Sequence, residues 1–89
     1  MLQEHPDLAG IQCIVLVDPD HPKGYALKVI PVSPGDTVQA FGEAAAEAGF
    51  TCGFAMDRMV TPQEVAKYIP GIAKMPGVQF VIDLRQLFQ

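Results

Sequence analysis

Apolar positions follow three rhythms along this chain. Ile11 to Val17 (IQCIVLV) is an apolar run rich in Val and Ile, bounded by Gly10 and Asp18-Pro19. That composition predicts a strand buried on both faces. Tyr25 to Val32 (YALKVIPV) is a second β-prone run. Pro31 near its end has no N–H for a ladder, which predicts an edge or a bulge there. Asp18 to Gly24 (DPDHPKG) between them is dense in turn formers, so the two runs predict a hairpin with a long loop.

The rhythm then changes to a helical one. After the turn Ser33-Pro34-Gly35, Asp36 with Gln39 fits a capping box, and Thr37 is the alternative N-cap one position later. Val38, Phe41, Ala45 and Ala48 recur at helical spacing and predict one apolar face. Gly49 sits where a left-handed C-cap belongs, with Phe50 placed for the accompanying hydrophobic contact. The alanines let the helix lie close to a sheet, with Phe41 as its main anchor.

Thr51 to Met59 alternates loosely, with Cys52, Phe54 and Met56 on one side, and predicts a short strand made irregular by Gly53. Thr61-Pro62-Gln63-Glu64 predicts a second helix: Thr61 caps, Pro62 takes the first helical position and Glu64 closes a capping box. That helix carries Val65, Ala66 and Ile69 and must end or kink at Pro70-Gly71. Met75-Pro76-Gly77 is a further turn, and Val78 to Leu84 sets Val78, Phe80, Ile82 and Leu84 against Gln79 and Asp83 as a last strand. The expected fold is a small α+β single domain over 1–89: an N-terminal β-hairpin, one main helix on a mixed sheet, a short second helix and a C-terminal strand. Residues 1–10 are expected to be a loosely ordered lead-in.

Composition narrows the function more than it names it. With 89 residues, 49% hydrophobic and 18% charged, the chain is rich in apolar side chains for a domain that hides only ~60–65% of its unfolded surface. Some apolar surface is expected to stay exposed and to mark a partner or self-association. Net charge is −4, and the six Lys and Arg are scattered with no two adjacent. No basic stripe exists to neutralise phosphates, so neither nucleic acid nor an anionic membrane is an expected partner. No apolar run approaches a membrane span and the N-terminus lacks a signal-like pattern, which predicts a cytoplasmic protein.

The opening half resembles a ubiquitin-like β-grasp domain: an N-terminal hairpin, then Val32, Pro34, Asp36, Thr37 and Val38 in the pattern V-x-P-x-D-T-V, then one helix. The likeness covers roughly residues 11–50 and implies an interaction module. The chain ends Leu87-Phe88-Gln89, without the glycine pair that such modifiers conjugate through, and its two cysteines cannot supply a β-grasp ferredoxin cluster. A ferredoxin-like split β-α-β arrangement is the alternative for the same elements.

Candidate chemistry is thin. Asp18, Asp20 and His21 gather two carboxylates and an imidazole in one loop, an incomplete ligand set that reads as a solvated turn. Cys13 reads as a buried small hydrophobe and Cys52 as the less certain thiol. With His5 and His21 they could formally build a four-ligand site, but no metal-binding spacing supports one. Ser33 is the only serine and sits in a turn, while Glu43 and Glu47 share a polar helix face. No phosphate-binding glycine motif is present. No catalytic residue, cofactor or metal is expected, and the chain reads as a non-enzyme.

The expected function is therefore protein–protein interaction: a regulatory or adaptor module, or a small subunit of a larger complex. The candidate contact residues are Phe54, Met56, Arg58 and Met59, an adaptable Met and Phe patch with one arginine, and Leu87 and Phe88 at the chain end. The partner is another protein or a second copy, reached by strand addition at an edge, either the strand ending at Pro31 or the last strand. Two rivals are a self-assembling structural homo-oligomer and, more weakly, a small metal or redox protein using Cys13 and Cys52.

Overall fold

A computed structural model of the chain describes residues 8–88, with side chains for residues 8–86. Four strands, β1 (Cys13–Asp18), β2 (Ala26–Pro31), β3 (Cys52–Met56) and β4 (Val78–Asp83), form one sheet in the order β2-β1-β3-β4. Every neighbouring pair is antiparallel, so the sheet is antiparallel throughout rather than mixed. α1 (Val38–Ala48) joins β2 to β3. Both strands run antiparallel to β1, which lies between them, so this connection is a split β-α-β crossover. α2 (Pro62–Ala66) and a 3₁₀ segment (Ile69–Lys74) join β3 to β4, and a 3₁₀ turn (Leu84–Phe88) follows.

β1 is buried on both faces because both faces are covered. Ile14 and Leu16 point to one side, where they pack with Val38, Phe41 and Ala45 of α1 and with Ala55, Ile82 and Leu84. Cys13, Val15 and Val17 point to the other, where Phe54, Met56, Val60, Val65, Ile72 and Met75 meet them. The core is thus two apolar layers separated by the sheet.

Local chemistry places the helices. Thr37, not Asp36, caps α1: its Oγ1 accepts from the Ala40 N–H at 3.1 Å, while the Asp36 carboxylate accepts from the Ser33 N–H at 2.6 Å and closes the preceding turn. Gly49 takes φ 88° at the other end, where its N–H and that of Phe50 bond back to Ala46 and Ala45. This is a Schellman cap, and only glycine adopts it without strain. The buried face of α1 is Val38, Phe41, Gly42 and Ala45, with Ala48 exposed in the last turn. Thr61 caps α2 through the Glu64 N–H with Pro62 in the first turn, and the helix gives way before Pro70 to the 3₁₀ segment, kinked at Gly71.

Three expectations need correction. Gly53 lies in regular strand; the irregularity is a bulge in the β3–β4 ladder between Ala55 and Met56, where β4 carries Gln79 as the extra residue. The bulge turns Val78 to the α2 face, while Phe80 and Ile82 pack on the α1 face, so the last strand does not present its four apolar residues to one side. The last strand also ends at Asp83, and Leu84 opens the 3₁₀ turn. Of the lead-in, residues 1–7 lie outside the described residues, whereas Leu8 is buried with Ile11 in the α1-side layer.

Candidate functional site

The predicted contact patch is split by the sheet's alternation. Phe54 (6% exposed) and Met56 (0%) point into the layer beneath α2. They are core residues and offer nothing to a partner, because β3 is an interior strand whose odd and even positions are both covered. Arg58 and Met59 stay on the surface, Met59 at 54% exposure. The side chains of Leu87 and Phe88 lie outside the described residues.

Around Arg58 the chain builds a polar corner. The Arg58 Nη2 donates to Glu64 Oε1 at 2.7 Å. The Asp57 N–H donates to the Gly77 carbonyl at 3.0 Å, and Asp57 Oδ2 accepts from Gln79 Nε2 at 3.0 Å. Gly77 is required here: its φ is 93°, and a Cβ would sit 2.7 Å from Asp57 Oδ1. The hydrogen bond to Glu64 holds the guanidinium further toward its charged form. Glu64 is thereby spent on Arg58 rather than on a reciprocal capping bond. The corner is a clasp tying the β3–α2 loop to the start of β4.

Neither thiol is poised for chemistry. Cys13 Sγ donates to the Arg58 carbonyl at 3.3 Å. Burial pushes its thiol up, outweighing a hydrogen bond from the Val60 backbone and the field of Arg58. Burial also pushes up the half-buried Cys52, and Asp83 beside it adds to the effect. A thiol held in its protonated form is a poor nucleophile and a poor ligand. β1 and β3 pair Cys13 with Met56 and Cys52 with Val17, so the two cysteines lie at opposite ends of the ladder. Among the described residues no group of three His, Cys, Asp or Glu is placed to hold a metal ion.

The hairpin loop is self-satisfied: Asp18 Oδ1 accepts from the Asp20 N–H and His21 Nδ1 from the Lys23 N–H, both at 3.2 Å. Glu43 and Glu47 lie exposed on α1. A hollow of about 340 Å³ between Leu8 and Asp36 contains one carboxylate, already bonded to Ser33. A second, of about 420 Å³ beside Phe50 and Leu84, is lined mainly by apolar groups, with Arg85 at its rim. No set of polar side chains converges in either.

What remains is the sheet's edges. Leu84 N–H bonds Thr51 O, one step beyond the Cys52–Asp83 pair. Antiparallel pairs alternate between bonded and non-bonded, so Ile82 and Phe80 turn their peptide groups to β3, and Val81 and Asp83 turn theirs outward. On the opposite edge, Val32 N–H bonds Gln12 O, which by the same alternation turns Leu27, Val29 and Pro31 outward. β2 therefore presents a proline where a donor would stand, with Lys28 exposed between. β4 carries neither Pro nor Lys, and Val81 is 51% exposed at its centre.

Val81 is the residue that sequence reasoning missed. Its signal was present: in VQFVID it is the apolar residue on the side shared by Gln79 and Asp83. Tyr25 and Tyr68, each 42% exposed, were also overlooked. Among the described residues no helix is long and apolar enough to cross a membrane. No family model, curated protein or solved structure matches this chain.

Proposed function

We propose that the chain is a non-catalytic protein-interaction module, a regulatory or adaptor protein or a small subunit of a larger assembly, that offers the β4 edge to a partner strand. One observation carries this reading: Val81 stands half-exposed in the middle of a six-residue edge strand that holds neither Pro nor Lys, with its bulge at Gln79 and its one charge, Asp83, lying to either side. Sheet edges are normally blunted by Lys, Pro or cover, as β2 is by Lys28 and Pro31. An open stretch of edge supplies main-chain hydrogen bonds for affinity and alternate side-chain positions for specificity. Both cysteines are free thiols, which fits a reducing, cytoplasmic setting.

Native mass spectrometry of the protein drawn gently from its own cells, beside a Val81→Lys variant, tests the proposal. The expected result is a species heavier than the 9.6 kDa chain whose excess mass disappears in the variant. A bare monomer, or excess mass that survives Val81→Lys unchanged, overturns it.

A further inference from the structure

We infer that residues 57–77 form a lid over one face of the sheet, which opens as a single unit while the sheet and α1 stay folded. The two apolar layers are sealed by different numbers of chain segments. Over the α1 face the buried cover comes from three places far apart in sequence: Leu8 and Ile11, then Val38, Phe41 and Ala45, then Leu84. Over the opposite face it is Val60, Val65, Ile72 and Met75, all from one continuous stretch. Clearing the first face takes three departures. Clearing the second takes one.

That stretch closes on itself. The Asp57 N–H donates to the Gly77 carbonyl at 3.0 Å, one step beyond the Met56–Val78 pair that ends the β3–β4 ladder. The neck therefore belongs to the hairpin, and the lid is the hairpin's loop. Its backbone bonds run inward: Val65 N–H to Thr61, Tyr68 N–H to Val65, Gly71 N–H to Tyr68 and Met75 N–H to Ile72. Lifting it breaks no strand ladder and no bond of α1. The losses are side-chain burial and the bonds that join Cys13 Sγ to the Arg58 carbonyl and the Val60 backbone. Isolated helices shorter than ~12–15 residues are marginal in water, so a lifted five-residue helix and kinked 3₁₀ segment also unravel. Closed, the layer is full, with Cys13, Met56 and Val65 completely buried. The lid differs from the α1 side in how it leaves, not in how tightly it sits. Contiguous units of this kind open at free energies below that of global unfolding. Open, the lid lays bare an apolar floor of Val15, Val17, Phe54 and Met56 together with the Cys13 thiol.

Labelling of Cys13 by a thiol reagent reads the opening. In a Cys52→Ser chain Cys13 is the sole thiol, and at low reagent concentration its labelling follows the population of the open form. Two matched variants of that chain separate the lid from the rest: Val65→Ala trims the lid, and Val38→Ala trims the α1 side. Val65→Ala should speed Cys13 labelling roughly tenfold, through the loss of buried methyl groups. Val38→Ala should leave the labelling unchanged, although both variants lower the urea midpoint. In the Cys52→Ser chain itself, labelling should depend less steeply on urea than global unfolding does, because the slope follows the surface exposed. The Val65, Tyr68 and Met75 amides should exchange hydrogen through the same opening, and those of Val15 and Ala45 only with global unfolding. Equal acceleration in both variants, or labelling with the full urea slope, would mean that only global unfolding reaches Cys13. No acceleration in Val65→Ala would mean that the thiol is reached without the lid moving. Either result overturns the lid.

Discussion

The two faces of the sheet are covered in opposite ways. On one side α1 is a regular 11-residue helix with a threonine cap, a Schellman stop and small side chains along its length. On the other, a 5-residue helix and a kinked 3₁₀ segment do the same work. Yet both sides enclose large groups: Met56, Val65 and Val15 are fully buried on the irregular side, and Ile14 and Leu16 on the α1 side, where Phe41 packs with them. A short element can cover a sheet if its side chains reach far enough; a close-lying helix can use alanine. Regularity of the covering element is not a measure of what it buries.

Truncating the anchor of each layer tests that comparison most severely. Phe41→Ala should destabilise the protein by ~3–5 kcal/mol and Met56→Ala by ~2–5 kcal/mol, both by lost transfer energy and a residual cavity. Urea unfolding measures each. A loss below ~1 kcal/mol at Met56 would mean that the layer beneath α2 is loosely filled and that the faces are not equal partners.

The same contrast explains what the sequence disclosed. The α1 side was readable because its signals are local: the Thr37 cap, the Gly49 stop and the 3.6-residue spacing lie within one short segment. Strand identities and the α+β class followed from equally local runs, and so did the cap at Thr61. The α2 side was not readable as a layer, since which face Phe54, Met56 and Val78 occupy depends on pairing between distant strands. The bulge beside Gln79 decides Val78, and no local pattern announced it. Phe54 and Met56 looked like a surface patch for that reason. Val81 was passed over because its side of the last strand was read from Gln79 and Asp83 alone. A contact surface is a property of strand order, and strand order appears in no single segment.

Two glycines sharpen the comparison at smaller cost. Gly49 and Gly77 hold positive φ at the end of α1 and before β4. Alanine at either adds ~1–2 kcal/mol of left-handed strain. Gly49 has open space around its Cβ position, whereas at Gly77 the new atom would meet the Asp57 carboxylate at 2.7 Å. Gly77→Ala should therefore lower the melting temperature more than Gly49→Ala. It should also disturb the bond from the Asp57 N–H to the residue 77 carbonyl, seen as loss of protection at the Asp57 amide. Equal shifts would show that the clasp yields without resistance.

Arg58→Glu separates the clasp from the proposed contact edge. An exposed ion pair contributes little to stability, so the melting temperature should barely move. Partner binding should persist, in contrast to Val81→Lys, which should abolish it. Binding lost in both variants would extend the contact surface from β4 to the β3–α2 corner, and binding lost only in Arg58→Glu would move it there altogether.

The smallest effect is confined to alkaline solution and to the α2 side, where both thiols lie. Burial raises Cys13 and Cys52 above their ordinary values, so the folded chain keeps thiol protons that the unfolded chain releases. Fewer protons bound in the unfolded state make stability fall as pH rises. The contribution is fully present below the unfolded thiol's range, ~8.5, and is lost as pH climbs from there through the raised folded values. At neutral pH it has no slope. Chemical unfolding between pH 7.5 and 10 should show a decline that is shallower in Cys13→Ala than in the parent, the difference removing the tyrosines and lysines common to both. Parallel declines would mean that Cys13 ionises as easily folded as unfolded. That would contradict a sulfur sealed beneath α2, and with it the claim that the short, broken side of the sheet is closed as tightly as the regular one.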